Sequence, residues 1–360
     1  MIVIAHRGAS GLLPEHTLAA YRLAIEQGAD FIEPDVVLTA DGAMIVRHEP
    51  MLDETTDVAD RFPTRRRTTR DVDGVPTTAY FACDFTLAEI RTLRARQAWP
   101  GRSKAYDGLH PIPTLAEVLA LARAQSARLG RTIGVYPETK HPSFHDAIFG
   151  RMTFEEALIG LLHESYGNRA DAPVFIQSFE TANLRHLRTR TRLRLTQLIG
   201  GAGLEDDGSV RLTAPMLQPR DLTLAGDPRS FADLLTPSGL DFIATYADAI
   251  GPWKPFVLRT VRTDGPLSDD RVAAAPTRRV AGGTGLVEAA HARGLQVHPW
   301  TFRDDAGILG FVDPIDEIRH YFALGVDGVF TDFPATGHAA RSRAKTVERS
   351  GPEKPVRPGP

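Results

Sequence analysis

The chain has a single cysteine, Cys83, in 360 residues. An intrachain disulfide and a cysteine-rich zinc site are therefore both excluded. No apolar run approaches the roughly 20 residues that a bilayer-spanning helix requires. Only five residues precede His6, too few for a secretory h-region. The expectation is a soluble, cytoplasmic protein, or a periplasmic or secreted one if a leader has been removed. An excess of one charge is also missing: 42 Lys and Arg stand against 45 Asp and Glu, for a net charge of −3. No global field then favours nucleic acid or an anionic membrane surface, and any phosphate recognition must be local. A nucleic-acid partner and a stable membrane association are not expected, and the sequence is silent on oligomeric state.

What the chain does have is a repeated junction. A helical pattern closes at a glycine, and a β-rich run ending in polar residues follows within a few positions. "YRLAIEQGADFIEPD" does this through Gly28, "VEAAHARGLQVHPWTFR" through Gly294 and "EIRHYFALGVDGVFTD" through Gly325. Glycine relieves left-handed strain after a helix, and alternating helices and strands imply parallel βαβ units. "TLAE" at Thr86 and again at Thr114 matches the capping box. "DPIDE" from Asp313 puts a proline at a first helical position.

Strand runs fall near residues 4, 33, 136, 176, 197, 248, 298 and 330. Eight βα units is the count of a TIM (β/α)8 barrel, whose active sites gather at the C-terminal ends of the strands. His6, Glu33, Asp35, Glu138, Gln177, Trp300 and Asp332 all lie at such ends. "VVLTADGAMIVRHEP" adds a hairpin signal, Ala-Asp-Gly between two β-rich runs. It extends the second strand and brings His48 back towards Glu33 and Asp35. One barrel domain is expected over residues 1–338, with 50–112 as an irregular insertion. The Pro- and charge-rich residues 339–360 are expected to be a disordered tail.

Glu33 and Asp35 stand two apart on a strand and so share a face. With Glu138 they form an oxygen-only set suited to a hard divalent ion, Ca2+ or Mg2+. His6 and His48 titrate near neutral pH and suit general acid and base work. Arg7 and Lys140 supply fixed positive charge, and a guanidinium holds two phosphate oxygens at once. Trp300 reads either as core packing or as an apolar wall for substrate. Glu15 reads either as orienting His6 from behind or as sitting near the start of the first helix, with the former preferred. His110, His141, His145, His163, His186, His291 and His320 sit in loops or helices and read as structural. Arg65, Arg66 and Arg67 read as a solvated loop.

"AHRGASGLLPEHT", "FIEPDVVLTADGAMIVRHEPMLDETTDVADRF", "IGVYPETKHPSFH", "FIQSF", "VHPWTFR" and "GVFTDFP" together resemble the glycerophosphodiester phosphodiesterases, nearest the bacterial periplasmic type. The motifs run in order from residue 3 to 334. The resemblance implies a TIM barrel of the PLC-like phosphodiesterase type, with a small insertion after the hairpin. It implies His6 and His48 as general acid and base, and Glu33, Asp35 and Glu138 as ligands of one divalent cation, Ca2+ ahead of Mg2+. Arg7 falls on the family's phosphate-binding arginine, and Lys140 on the lysine that follows the third carboxylate. The implied reaction is hydrolysis of a glycerophosphodiester, such as glycerophosphocholine or glycerophosphoethanolamine, to sn-glycerol 3-phosphate and an alcohol. The early motif is PEHT rather than the widespread PENT, with His16 in place of asparagine. Three other readings fit the same residues: a phospholipase-D-like or other phosphodiesterase on the same barrel, a barrel that binds phosphodiesters without turnover, and a metal-dependent sugar isomerase or aldolase barrel with Lys140 as the reactive group.

Overall fold

A computed structural model describes residues 1–263 and 277–350. Among them are eight barrel strands: β1 (Ile2–His6), β2 (Phe31–Glu33, resuming as Asp35–Leu38), β3 (Gly134–Val135, resuming as Glu138–Thr139), β4 (Phe175–Ser178), β5 (Arg194–Ile199), β6 (Ala249–Pro252), β7 (Gln296–Val297) and β8 (Gly328–Thr331). Each lies at a position expected from the sequence. Neighbours pair in parallel from β8 through β1 to β7. The seam between β7 and β8 lacks a regular ladder. Hydrogen bonds from Asp327 N to Val297 O (3.0 Å), Phe330 N to Pro299 O (3.1 Å) and Phe302 N to Phe330 O (2.8 Å) join it instead. Helices cover the outside of this ring, so the strands are runs of Val, Ile and Phe buried on both faces.

Two prolines interrupt the ring where the site will form. Pro34 splits β2 and Pro137 splits β3, because proline has no N–H to give to a ladder. Their carbonyls still accept: Glu138 N donates to Pro34 O at 2.9 Å and Gln177 N to Pro137 O at 2.9 Å. Pairing therefore resumes in register beyond each break, with Asp35 opposite Glu138 and Glu138 opposite Gln177.

The capping boxes at Thr86 and Thr114 are both formed, and Asp313 caps the helix that Pro314 begins. Gly28 adopts φ +92° after the helix Leu18–Glu26, a conformation that costs most residues strain. The expected hairpin is present: Asp35–Leu38 pairs antiparallel with Met44–Val46. Val37 and Ile45 on that hairpin pack with Leu52, Phe85, Ile90 and Leu93, so the insertion has an apolar cluster of its own. It also carries the antiparallel pair Thr68–Val72 and Val75–Ala79. Arg65 lies 4.2 Å over the Phe85 ring and Arg67 pairs with Asp53 at 3.0 Å.

The tail departs from expectation. Residues Pro334–Ser350 form a helix rather than a disordered segment from 339. The first turn is opened by a proline, Ala340 is fully buried, and Arg341 pairs with Asp30. Periodic burial on the barrel outweighs a charged composition here. The rest of that expectation, 351–360, lies outside the described residues.

Gly134 marks the tightest contact between β2 and β3. A Cβ there would lie 2.2 Å from the Phe31 ring, itself held edge-on by Tyr136 and Phe175. Gly134→Ala is expected to destabilise the fold by about 1–3 kcal/mol through overpacking. Equilibrium denaturation checks this, and an unchanged midpoint would show that Phe31 has room to move.

Candidate active site

The C-terminal ends of the strands open into a cavity of about 610 Å³ lined by His6, Arg7, Glu33, His48, Glu138, Lys140 and Trp300 among others. Glu33, Asp35 and Glu138 are buried and offer oxygens all within 4.8 Å of one another. Burial raises the Glu33 carboxyl well above its ordinary range, and Asp35 and Glu138 raise it further. Burial also raises Glu138, against the pull of Lys140. Asp35 is the exception: Lys140 and His16 overcome its burial and hold it well below the usual carboxylate range.

These residues fit a divalent cation. Asp35 Oδ1 and Glu138 Oε1 are buried without a hydrogen-bond donor. Lys140 Nζ stands 2.6 Å from Glu138 Oε1 and 3.5 Å from Asp35 Oδ1, close enough for charge but outside hydrogen-bond geometry. Three hard oxygen donors with lone pairs to spare are what Ca2+ or Mg2+ requires. The same contacts hold Lys140 as an ammonium: burial lowers it, but Asp35 and Glu138 outweigh burial. A Schiff-base lysine needs the opposite shift, so these contacts do not favour the aldolase reading.

Arg7 follows β1 at φ +60°. Its N–H donates to Glu33 Oε2 at 2.7 Å, and Nη1 donates to Glu15 Oε2 at 2.9 Å. Glu15 thus braces Arg7. The expectation that it orients His6 is corrected by the structure, because Arg7 captures its carboxylate first. Burial opposes the Glu15 charge, but Arg7 prevails and lowers it to about 2. His6 is held instead by Asp332, with Nδ1 2.6 Å from Oδ1. Burial, then Arg7, lowers His6 to about 4, leaving a neutral ring. His48 has a similar carboxylate partner, Glu49 Oε1 at 2.5 Å from Nδ1.

His16 lies behind the cluster, fully buried, with Nε2 2.8 Å from Asp35 Oδ2 and Nδ1 2.7 Å from Tyr21 Oη. Gln177 Nε2 donates to Glu33 Oε1 at 3.0 Å. Trp300 lines the cavity and packs edge-to-face on Phe179, with Nε1 pinned to Gly251 O at 2.8 Å.

Sequence reasoning missed three members. Asp332 was placed at a strand end without a task. Glu49 follows His48 directly, a signal that was available. His141, read as structural, lines the cavity and touches Asp73 and Glu49. Burial opposes its charge, but those two carboxylates raise it to about 10.

Fixed cations beside an oxygen-only pocket and two carboxylate-held histidines define a barrel that works on phosphate esters. The profile of the glycerophosphoryl diester phosphodiesterase family matches residues 6–336. Glycerophosphodiester phosphodiesterase GDPD6 of Arabidopsis thaliana is 35% identical over 93% of this chain and 84% of its own. A glycerophosphodiester phosphodiesterase of Haemophilus influenzae is 31% identical over 93% and 88%. The structure of an Oleispira antarctica phosphodiesterase in complex with the product sn-glycerol-3-phosphate shares the fold, with TM-score 0.59 and 19% identity over 95% of this chain and 97% of that one. The chain belongs to the glycerophosphoryl diester phosphodiesterase family, and it is a phosphodiesterase.

The carboxylate cluster is expected to couple ion binding to stability. Excess Ca2+ or Mg2+ should raise the melting temperature by mass action, and EDTA should reverse the rise. Glu138→Gln should lose most of the ion-dependent rise. Equal ion responses in the two proteins would place the ion elsewhere.

Proposed function

We propose that the chain hydrolyses glycerophosphodiesters, such as glycerophosphocholine and glycerophosphoethanolamine, to sn-glycerol 3-phosphate and a free alcohol. One divalent cation would be held by Glu33, Asp35 and Glu138, with Ca2+ ahead of Mg2+ as the family resemblance implies. The observation that carries the reading is the placement of His6 and His48 in one cavity, each tied through Nδ1 to a carboxylate. That contact orients the ring and leaves Nε2 for the substrate. The sn-glycerol-3-phosphate in the Oleispira antarctica phosphodiesterase supports the same product here.

Arg7 and Lys140 bind the phosphodiester anion. Glu15 keeps the guanidinium in place by occupying Nη1. A bound divalent ion supplies further positive charge where the phosphoryl oxygens gain negative charge. One histidine takes the proton of the attacking hydroxyl and the other gives a proton to the leaving alcohol oxygen. Both rings are shifted towards the neutral form, by burial first and then by Arg7. The substrate anion offsets part of that Arg7 charge. Water and the substrate's own glycerol hydroxyl are both candidate nucleophiles. Accumulation of a cyclic phosphate in a single turnover distinguishes them.

Glycerol 3-phosphate release from glycerophosphocholine tests the proposal. Activity should vanish in EDTA and return with Ca2+ or Mg2+. His48→Ala should lower kcat by about 10²- to 10⁴-fold with KM little changed. Activity that survives both EDTA and the substitution would overturn the reading.

A further inference from the structure

The insertion, residues 50–112, reaches both histidines, and by separate routes. On one side Arg102 Nη2 donates to Asp332 Oδ2 at 2.6 Å, while Asp332 Oδ1 holds His6. Arg102 is itself nearly buried and is fixed by Asp305, with Nε to Oδ2 at 2.7 Å, and by Ser10 O, with Nη1 at 3.2 Å. On the other side the tip of the hairpin Thr68–Val72 and Val75–Ala79 carries Asp73 into the cavity wall. Asp73 Oδ2 lies 2.9 Å from His141 Nδ1. His141 Nε2 lies 3.6 Å from Glu49 Oε2, and Glu49 Oε1 holds His48.

We propose that this insertion is a positioning element for the acid/base pair, with Arg102 setting His6 through Asp332 and Asp73 setting His48 through His141 and Glu49. The inference rests on the reading of His6 and His48 as that pair. Neither route passes through the carboxylate cluster. Donors and carboxylates alternate along each: an arginine, a carboxylate and a histidine on one side, and a carboxylate, a histidine, a carboxylate and a histidine on the other. In each chain the last carboxylate sits against Nδ1, Asp332 by a hydrogen bond and Glu49 as an ion-pair neighbour, and so biases where Nε2 points. A residue that stiffens that carboxylate stiffens the ring without touching substrate. Arg102 does so with a forked cation, which holds Asp305 and Asp332 together, a task lysine cannot copy. Asp73 does so from a hairpin tip anchored across the cavity by Asp71, which pairs with Arg220 at 3.1 Å.

Two mild substitutions test this, Asp73→Asn at the hairpin tip and Arg102→Lys, each made in wild type, in His48→Ala and in His6→Ala. In wild type each should lower kcat by about tenfold, as loss of an outer partner does, with KM unchanged. The cycles should then cross. In His48→Ala the change Asp73→Asn should cost nothing further while Arg102→Lys keeps its full effect, and in His6→Ala the reverse should hold. Asp73→Glu should restore most of the Asp73→Asn loss. Equal losses in every background, losses confined to KM, or no loss from either change would overturn the positioning role while leaving the proposed function intact. A wild-type kcat in His6→Ala and His48→Ala themselves would overturn both. Thermal melting of each variant separates a folding defect, which lowers kcat alike in all three backgrounds, from the crossed pattern.

Discussion

Three carboxylates within 4.8 Å of one another, all buried, are the constraint around which the site is arranged. Such a cluster is unfavourable alone, since desolvation and mutual repulsion both oppose ionisation. The protein offsets it with a ring of donors and cations. Arg7 approaches Asp35 and gives its backbone N–H to Glu33, Lys140 sits between Asp35 and Glu138, His16 bonds Asp35, and Gln177 bonds Glu33. The compensation is uneven. Asp35 keeps its charge while Glu33 and Glu138 are pushed towards neutrality, so the cluster remains short of positive charge. That deficit is what a divalent ion and the cations around it are suited to meet.

The barrel makes the cluster reachable. Parallel strands end together at one face of the ring, so side chains distant in sequence converge there. His6 stands opposite Glu33 across β1 and β2, and Asp35 stands opposite Glu138 across β2 and β3. Pro34 and Pro137 interrupt the ladders between these rows, yet lend their carbonyls so that register carries on. The hairpin then turns the chain back over the mouth and delivers His48. The histidines differ from the carboxylates in how they are held. Each has one carboxylate partner on Nδ1 and one ring nitrogen left for chemistry.

Much of this was legible in the sequence because it is written locally. Eight strand runs, two capping boxes and the Ala-Asp-Gly turn each depend on a few adjacent residues, and each is present. Glu33 and Asp35 announce themselves because a strand puts residues two apart on one face. Glu15 shows where such reasoning fails. It lies near His6 in sequence, but Arg7 is nearer in space and takes its carboxylate. The charged tail misled for a related reason: composition suggested disorder, while burial of Ala340 and the Arg341–Asp30 pair stabilise a helix through about residue 350.

The sequence by itself determined the barrel, the family and the chemical types gathered at the strand ends, since these follow from periodicity, turn residues and short motifs. Only the tertiary structure decided that Asp332 holds His6 and that Arg102 and His141 join the site. Asp332 is 326 positions from His6, and Arg102 is 230 positions from Asp332. His141 became part of the site through a hairpin tip 68 positions away. Such pairings depend on how the ring of strands and its insertion bring distant backbone together, and no local pattern encodes that distance.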